Sequence, residues 1–461
     1  MDWTPTIADR QGPLYQRIVN ALADDIAAGR VRNGQALPTH RALARALGVD
    51  LTTVSRAYAE ARRLGLTDAQ VGRGTFAVAV PGAQKPMAQP GIDLSMNLPP
   101  QPPDAALDSR LAKALADIRT GPGLSPYLTY QRPGGTLRER QIAADWIGGV
   151  WPGLAAEHVL IAPGTQPVLF ALLLAHAGSG QTILAEQLTY PGLKAAAAAA
   201  GITVAGVACD EEGMVPAALD RAARTTAARV VYMMPTIHNP TTRTMPEERR
   251  KRIAEVIRKR DLVLIEDDPY SFFAPGPPPV SAHVPERAYF AASLAKCLAP
   301  GLRLAIVVTP DATAAEVLGQ GLRANVQMPV PLMAAIATRW MRDGSASAIV
   351  EAIRAEAVAR QALARAALAG QQFAANPVGL HVWLTLPEGV QAEAFAADLH
   401  GRGLAVVTAS AFATDTAPPS ALRLALGAAQ SRAQLARALD ILASALKTAA
   451  ALPGVGRAAG P

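Results

Sequence analysis

Between residues 159 and 308 short apolar runs alternate with stretches of helical spacing, and this rhythm constrains the fold more than any other feature of the sequence. Six runs, at 159–162, 182–185, 230–234, 262–266, 289–292 and 304–308, have the length and branching of buried strands. Strands that recur only after an intervening helix pair in parallel, because the crossover carries the chain back across the sheet. The pattern predicts a large, mostly parallel α/β sheet domain. Residues 329–370 read as helical, while 381–386 and 404–408 read as strands of a smaller α+β subdomain spanning about 330–450. A chain of 461 residues exceeds one hydrophobic core. The seam is PGAQKPMAQPG at 81–91, proline-rich and without apolar periodicity, which reads as a semi-extended linker between a unit at 1–80 and one at 92–450. Residues 451–461 read as a disordered tail.

Composition narrows the class. The longest apolar stretches, 168–177 and the alanine run 195–200, are too short or too weakly apolar to span a bilayer. The N-terminus lacks a secretory apolar segment, so a cytoplasmic protein is expected. Cys209 and Cys297 have no CxxC partner, which fits a reducing compartment and argues against a disulfide framework and a zinc site. Cys297 reads as a small, half-buried residue. His238 and His381 lack HxH or HxxxH spacing and read as structural, with no metal expected. A net charge of +7 permits nucleic-acid binding without requiring it.

In the first unit, residues 13–30 form an amphipathic helix with Leu14, Ile18, Leu22 and Ile26 along one stripe. LPTHRALARALG (37–48) gives a helix capped by Thr39 and stopped by Gly48; Asp50 caps a second helix that buries Val54, Tyr58 and Ala61. Helix, glycine turn, helix is the helix-turn-helix pattern, and it leaves Thr52, Thr53, Ser55 and Arg56 facing outward. GLTDAQVGRGTFAV (65–78) adds two short strands with Arg73 at their tip, forming a wing. The bland alternative is a trihelical protein-interaction module, since Asp24, Asp25, Asp50, Glu60 and Asp68 offset part of the arginine charge. Three sub-motifs in order, LPTHRALA, TVSRAY and GRGTF, resemble the DNA-binding domain of GntR-type regulators over about 11–80, with Thr39 where serine is commoner. The resemblance implies DNA contacts from Thr39, Arg41, Thr52, Thr53, Ser55, Arg56 and Arg73.

In the second unit the chemistry-bearing residues fall at strand ends, where open α/β sheets bind ligands. After 262–266 come Asp267 and Tyr270, a carboxylate suited to a pyridine nitrogen and a phenol suited to a ring oxygen. After 230–234 comes Asn239, whose amide suits the same oxygen. After 289–292 come Ser293, Lys296 and Arg303, a hydroxyl, a Schiff-base former and a guanidinium. Gly164, Thr165 and Gln166 open a helix whose free N–H groups suit a phosphate. Tyr190 stands where a ring would stack, and Arg423 lies on a strand of the small subdomain as a fork for a carboxylate.

This set, from about Ile92 to Ala450, resembles fold-type I pyridoxal-phosphate proteins of the aspartate aminotransferase superfamily. The resemblance implies Lys296 as the Schiff-base lysine and Asp267 at the pyridine nitrogen. It puts Asn239 and Tyr270 on the phenolic oxygen and Tyr190 stacked on the ring. It implies Gly164, Thr165, Gln166, Ser293 and Arg303 on the phosphate, Arg423 on an α-carboxylate, and Tyr130 donated to a neighbouring subunit's phosphate. The chain departs from the family at Thr242, where glycine is usual, and at Ala295, where a small hydroxyl is usual. A GntR-type head on an aminotransferase-like body is the architecture of the MocR subfamily. That likeness implies a homodimer that binds promoter DNA and senses pyridoxal 5′-phosphate, or an amino acid or amine effector, through Lys296. Two alternatives stand beside it: an aminotransferase tethered to DNA, and a DNA-binding dimer with an inactive body.

Overall fold

The computed structural model describes residues 3–6, 13–27, 30–31, 34–63, 66–70, 74–78, 91–274 and 276–451. They belong to two compact units, Met1–Pro90 and Gly91–Pro461. The expected linker at 81–91 lies, apart from Gly91, outside the described residues, as do Arg73 and, after Ala451, the tail.

In the first unit, α1 (Leu14–Ala27) is shorter than the expected helix. Ile18 and Leu22 enter the core with Val19, but Leu14, the first residue of the helix, is 45% exposed. Helix α2 (His40–Leu47) begins where Thr39 Oγ1 accepts the Ala42 N–H at 3.3 Å, and it ends at Gly48. Helix α3 (Leu51–Arg63) buries Val54, Ala57, Tyr58 and Ala61. The Tyr58 hydroxyl satisfies itself by donating to the Pro38 carbonyl at 2.8 Å. Strands β1 (Thr67–Gln70) and β2 (Gly74–Ala77) pair antiparallel and complete a winged helix-turn-helix.

The second unit is built on a seven-stranded sheet of order β4-β10-β9-β8-β7-β5-β6. Its strands are β4 (Val159–Ala162), β5 (Thr182–Glu186), β6 (Thr203–Val207), β7 (Val230–Met233), β8 (Val263–Asp267), β9 (Ala288–Ser293) and β10 (Ala305–Val308). β10 runs antiparallel to both its neighbours, and the other adjacent pairs are parallel. Strands β4, β7, β9 and β10 are buried along their whole length, as two-sided burial between helix layers demands.

The small lobe is a four-stranded antiparallel sheet, β11-β12-β15-β14, from β11 (Phe373–Ala375), β12 (His381–Thr385), β14 (Val407–Thr408) and β15 (Ala421–Ala425). The single strand expected at 404–408 is instead two. Leu404–Ala405 (β13) pairs in parallel with Ile92–Asp93 (β3), and β14 pairs with β15, so the chain changes partner at Val406. The small lobe also does not start near 330. Ala334, Trp340, Ile349 and Ala357, on two helices Pro331–Arg342 and Ser345–Ala367, pack in the large-lobe core with Phe290. The small-lobe core begins at Ala364 and takes in Ile92 and Leu94 from the start of the unit. Spacing along one helix cannot tell which lobe each of its halves will meet.

Candidate cofactor cleft

A cleft of about 350 Å³ lies in the second unit and is lined by Asp267 and Ser293, the last residues of β8 and β9. Asp267 is 4% exposed and accepts a hydrogen bond at 2.9 Å from Tyr232 on neighbouring β7. Burial pushes its carboxyl up to about 7, against the pull of Tyr232 and Lys296. Ser293 accepts the Ala295 N–H at 3.3 Å and so caps the single helical turn Leu294–Cys297, which carries Lys296. Burial lowers the Lys296 ammonium to about 8, with Arg423 pushing the same way and Asp267 opposing. An amine half-free near pH 8 is a competent nucleophile. Cys297, expected to be half-buried, is fully buried.

From the small lobe, β15 brings in Arg423, which donates through Nη1 to Asn239 Oδ1 at 3.1 Å and through Nη2 to the Ser95 carbonyl. Its Nε is buried without a partner. With its oxygen turned to Arg423, Asn239 points its amide hydrogens the other way, and among the described residues no acceptor is hydrogen-bonded to them. Asn239–Pro240 is a cis peptide bond. Thr242, which replaces the family's glycine, keeps the glycine-like backbone at φ +64 and donates its N–H to the His238 carbonyl at 2.7 Å.

Tyr190 leads into the helix Pro191–Ala199 over Gly192, where a Cβ would stand 2.3 Å from the Tyr190 ring, so only glycine fits beneath it. Gln166 Nε2 donates to the Gly192 carbonyl at 2.6 Å. Gly164, at φ +98, precedes α4 (Thr165–His176); a Cβ there would come within 3.3 Å of Arg303 Nη2.

Thus Thr165, Tyr190, Asn239, Asp267, Tyr270, Ser293, Lys296 and Arg423 line one cleft. Gly164, Gln166 and Arg303 stand outside its lining, Arg303 exposed with its guanidinium against Gly164. Tyr130 is 83% exposed and takes no part in the cleft of its own chain. Ser95, Met96 and Asn97, absent from the sequence reading, also line it. Asn97 Nδ2 donates to Tyr270 Oη at 2.6 Å, and the Asn97 backbone carbonyl accepts from Lys296 Nζ. Nothing in SMNLPP (95–100) marks these residues, which follow the proline-rich seam and end no strand of the large sheet.

In the first unit Arg41, Thr52 and Arg56 are exposed, and Thr39 is exposed beside its cap. Thr53 and Ser55, expected to face outward, are half-buried, since Ser55 Oγ lies 3.1 Å from His40 Nδ1 and is drawn against α2. The Arg56 guanidinium sits 4.0 Å over the Tyr15 ring. Among the described residues no helix is long and apolar enough to cross a membrane, and no cluster of His, Cys, Asp and Glu could hold a metal ion.

The fold and cleft define a fold-type I aminotransferase-like body that follows a winged helix-turn-helix in the chain. The chain belongs to the aminotransferase class I and II family, whose pattern covers residues 89–442, and residues 14–77 match the bacterial regulatory proteins of the gntR family. Head and body in this order are the MocR arrangement. The chain is 29% identical over 454 residues, 96% of each protein, to the HTH-type transcriptional regulator YdeF of Bacillus subtilis. It is 28% identical to the vitamin B6 salvage pathway transcriptional repressor PtsJ of Salmonella typhimurium, over 90% of this chain and 94% of that one. Among solved structures it resembles LysN, the alpha-aminoadipate aminotransferase of Thermus thermophilus, complexed with N-(5′-phosphopyridoxyl)-L-leucine. The TM-score is 0.71 at 26% identity, covering 78% of this chain and 93% of LysN.

Proposed function

We propose that the protein is a cytoplasmic, homodimeric GntR/MocR-type transcription regulator that binds promoter DNA through its head and holds pyridoxal 5′-phosphate on Lys296. The carrying observation is the convergence of Lys296, Asp267, Asn239, Tyr270 and Arg423 in one cleft of a chain whose other unit is a GntR-type winged helix-turn-helix.

The donor set suits that cofactor. Asp267, buried on the cleft wall, matches a ring N–H; the free Asn239 amide hydrogens and Tyr270 match a ring oxygen; Tyr190 offers an aromatic face. Thr165, at the open end of α4, with Ser293 and neighbouring Gly164, Gln166 and Arg303, offers backbone and side-chain donors to a phosphate. The buried Nε of Arg423, without a partner among the described residues, asks for an acceptor that a bound carboxylate would supply. Bound here, pyridoxal phosphate would supply an aldehyde for the Lys296 amine and an electron-withdrawing ring, with Asp267 placed to hold the ring N–H. Tyr130 reaches the partner's phosphate across the dimer. Amino compounds that engage Arg423 and Lys296 differently in two arrangements of the protein change promoter affinity, because an effector shifts an equilibrium only by its difference in affinity for the two states.

The test titrates pyridoxal phosphate and a panel of amino acids and amines into the protein, recording visible absorbance and binding to a duplex from the region upstream of its own gene. Ligands that change the spectrum are expected to change DNA binding. DNA binding unaltered across the panel would defeat the sensing role. Intact Arg423 and Lys296, together with the likeness to LysN, favour one second reading, a DNA-tethered aminotransferase, and steady-state amino transfer to a keto acid at enzyme rates would establish it.

A further inference from the structure

We infer that Asn97 and His381 are positioning residues that fix the direction in which Tyr270 donates its hydroxyl hydrogen. The inference rests on the reading that the cleft takes pyridoxal phosphate on Lys296.

The relay starts at the His238 backbone carbonyl, which accepts the Thr242 N–H at 2.7 Å and lies 3.2 Å from His381 Nε2. A carbonyl only accepts, so Nε2 carries a hydrogen. His381, on β12, is fully buried, and that burial, reinforced by Arg423, lowers the imidazole to about 3. The ring is therefore neutral, and its Nδ1 is a bare acceptor. Asn97 Nδ2 faces that atom at 3.5 Å. Flipping the amide would set oxygen against the Nδ1 lone pair, so His381 favours the orientation in which Asn97 presents Nδ2 and leaves its Oδ1 buried without a partner. The other Nδ2 hydrogen goes to Tyr270 Oη at 2.6 Å.

Tyr270 Oη is thus an acceptor on the Asn97 side, and its own hydrogen must leave in another direction. Tyr270 lines the cleft, and among the described residues no acceptor is hydrogen-bonded to it. The hydroxyl therefore donates into the cleft. Four separate parts of the chain set this direction: the turn after β7, strand β12, the segment after β3 and the turn after β8.

A hydrogen aimed at the cofactor's phenolic oxygen stabilises negative charge there and lowers the pH at which the lysine-linked cofactor loses its proton. The charged and titratable groups facing Tyr270 are Arg423, Asp267 and Asp268, and those facing Lys296 are Arg423, Asp267 and Arg303. None is altered in the test. The full-length protein loaded with pyridoxal phosphate is titrated by visible absorbance as wild type, His381→Leu, Asn97→Leu, His381→Gln and Tyr270→Phe. His381→Leu and Asn97→Leu are expected to raise the transition by about one pH unit, in the direction of Tyr270→Phe. His381→Gln, whose amide donates to His238 and accepts from Asn97, is expected to recover most of it. A wild-type transition in His381→Leu beside a shifted Tyr270→Phe overturns the inference. Should His381→Leu fail to fold, the histidine ¹⁵N spectrum of the wild type decides: the Nε2–H tautomer supports the relay and the Nδ1–H tautomer overturns it. Absence of visible absorbance in the wild type would overturn the cofactor reading instead, and the tautomer measurement would still judge the relay.

Discussion

Tyr232 donates its hydroxyl to Asp267 at 2.9 Å between adjacent parallel strands, with both side chains almost sealed from water. The contact favours the anion of a carboxyl that burial, even against this hydrogen bond, holds up to about 7. Tyr232→Phe removes it and pushes the Asp267 carboxyl further up, so the partner for a ring N–H is weakened at neutral pH. Pyridoxal phosphate affinity, measured by absorbance titration at pH 7, is expected to fall about tenfold. Wild-type affinity would show that Asp267 does not need Tyr232.

Lys296 has its folded-state value lowered from 10.5 to about 8, and the amine reacts only when unprotonated. The rate of visible-band formation after mixing with pyridoxal phosphate should therefore rise with pH and level off above about 8. Stopped-flow absorbance checks this. A rate still climbing through pH 10 would mean that the cleft does not depress the lysine.

Glu186 is fully enclosed, with Oε1 accepting the Met234 N–H at 2.9 Å and Oε2 left without a partner. Burial raises its carboxyl from 4.5 to about 7. The native state thus holds a proton that the unfolded chain has released, and this group's stabilising contribution is lost as pH rises through the window from 4.5 to about 7. Glu186→Gln mimics the protonated form. The melting temperature of the variant relative to wild type is expected to be higher at pH 8 than at pH 5. Parallel melting at both pH values would contradict this.

Arg41 is exposed on α2, whereas Arg56 is anchored over Tyr15. Arg41→Ala is expected to weaken DNA binding, to reduce the slope of log affinity against log salt by about one, and to leave melting unchanged. Arg56→Ala is expected to weaken binding and also to lower melting of the head. Fluorescence anisotropy across a salt series, with thermal melts, separates the two. An unchanged salt slope in Arg41→Ala would remove Arg41 from the phosphate contacts.

The strand ends carrying Asp267 and Lys296 were legible because a buried parallel strand announces itself by a short apolar run, and the residues that follow it fall at the sheet's ligand edge. Thr39 and Gly48 were legible for a similar reason, since capping is read within one helical turn. Asn97 was not, because it owes its role to Tyr270, 173 residues away, and to His381, 284 residues away. His381, read as merely structural, shared that blindness: its neighbours in sequence say nothing of the amide it orients.

The two units, the alternation that builds the large sheet and the residue types gathered at its edge are written locally in the chain, because each depends on periodicity or capping over a few residues. That β3 joins the small lobe, that a lobe boundary falls inside one helix, and that Ser95 and Asn97 meet Arg423 and Lys296 in the cleft emerge when the chain packs. Those are pairings between distant segments, chosen by which polar atoms burial leaves in need of partners, and no local pattern encodes that choice.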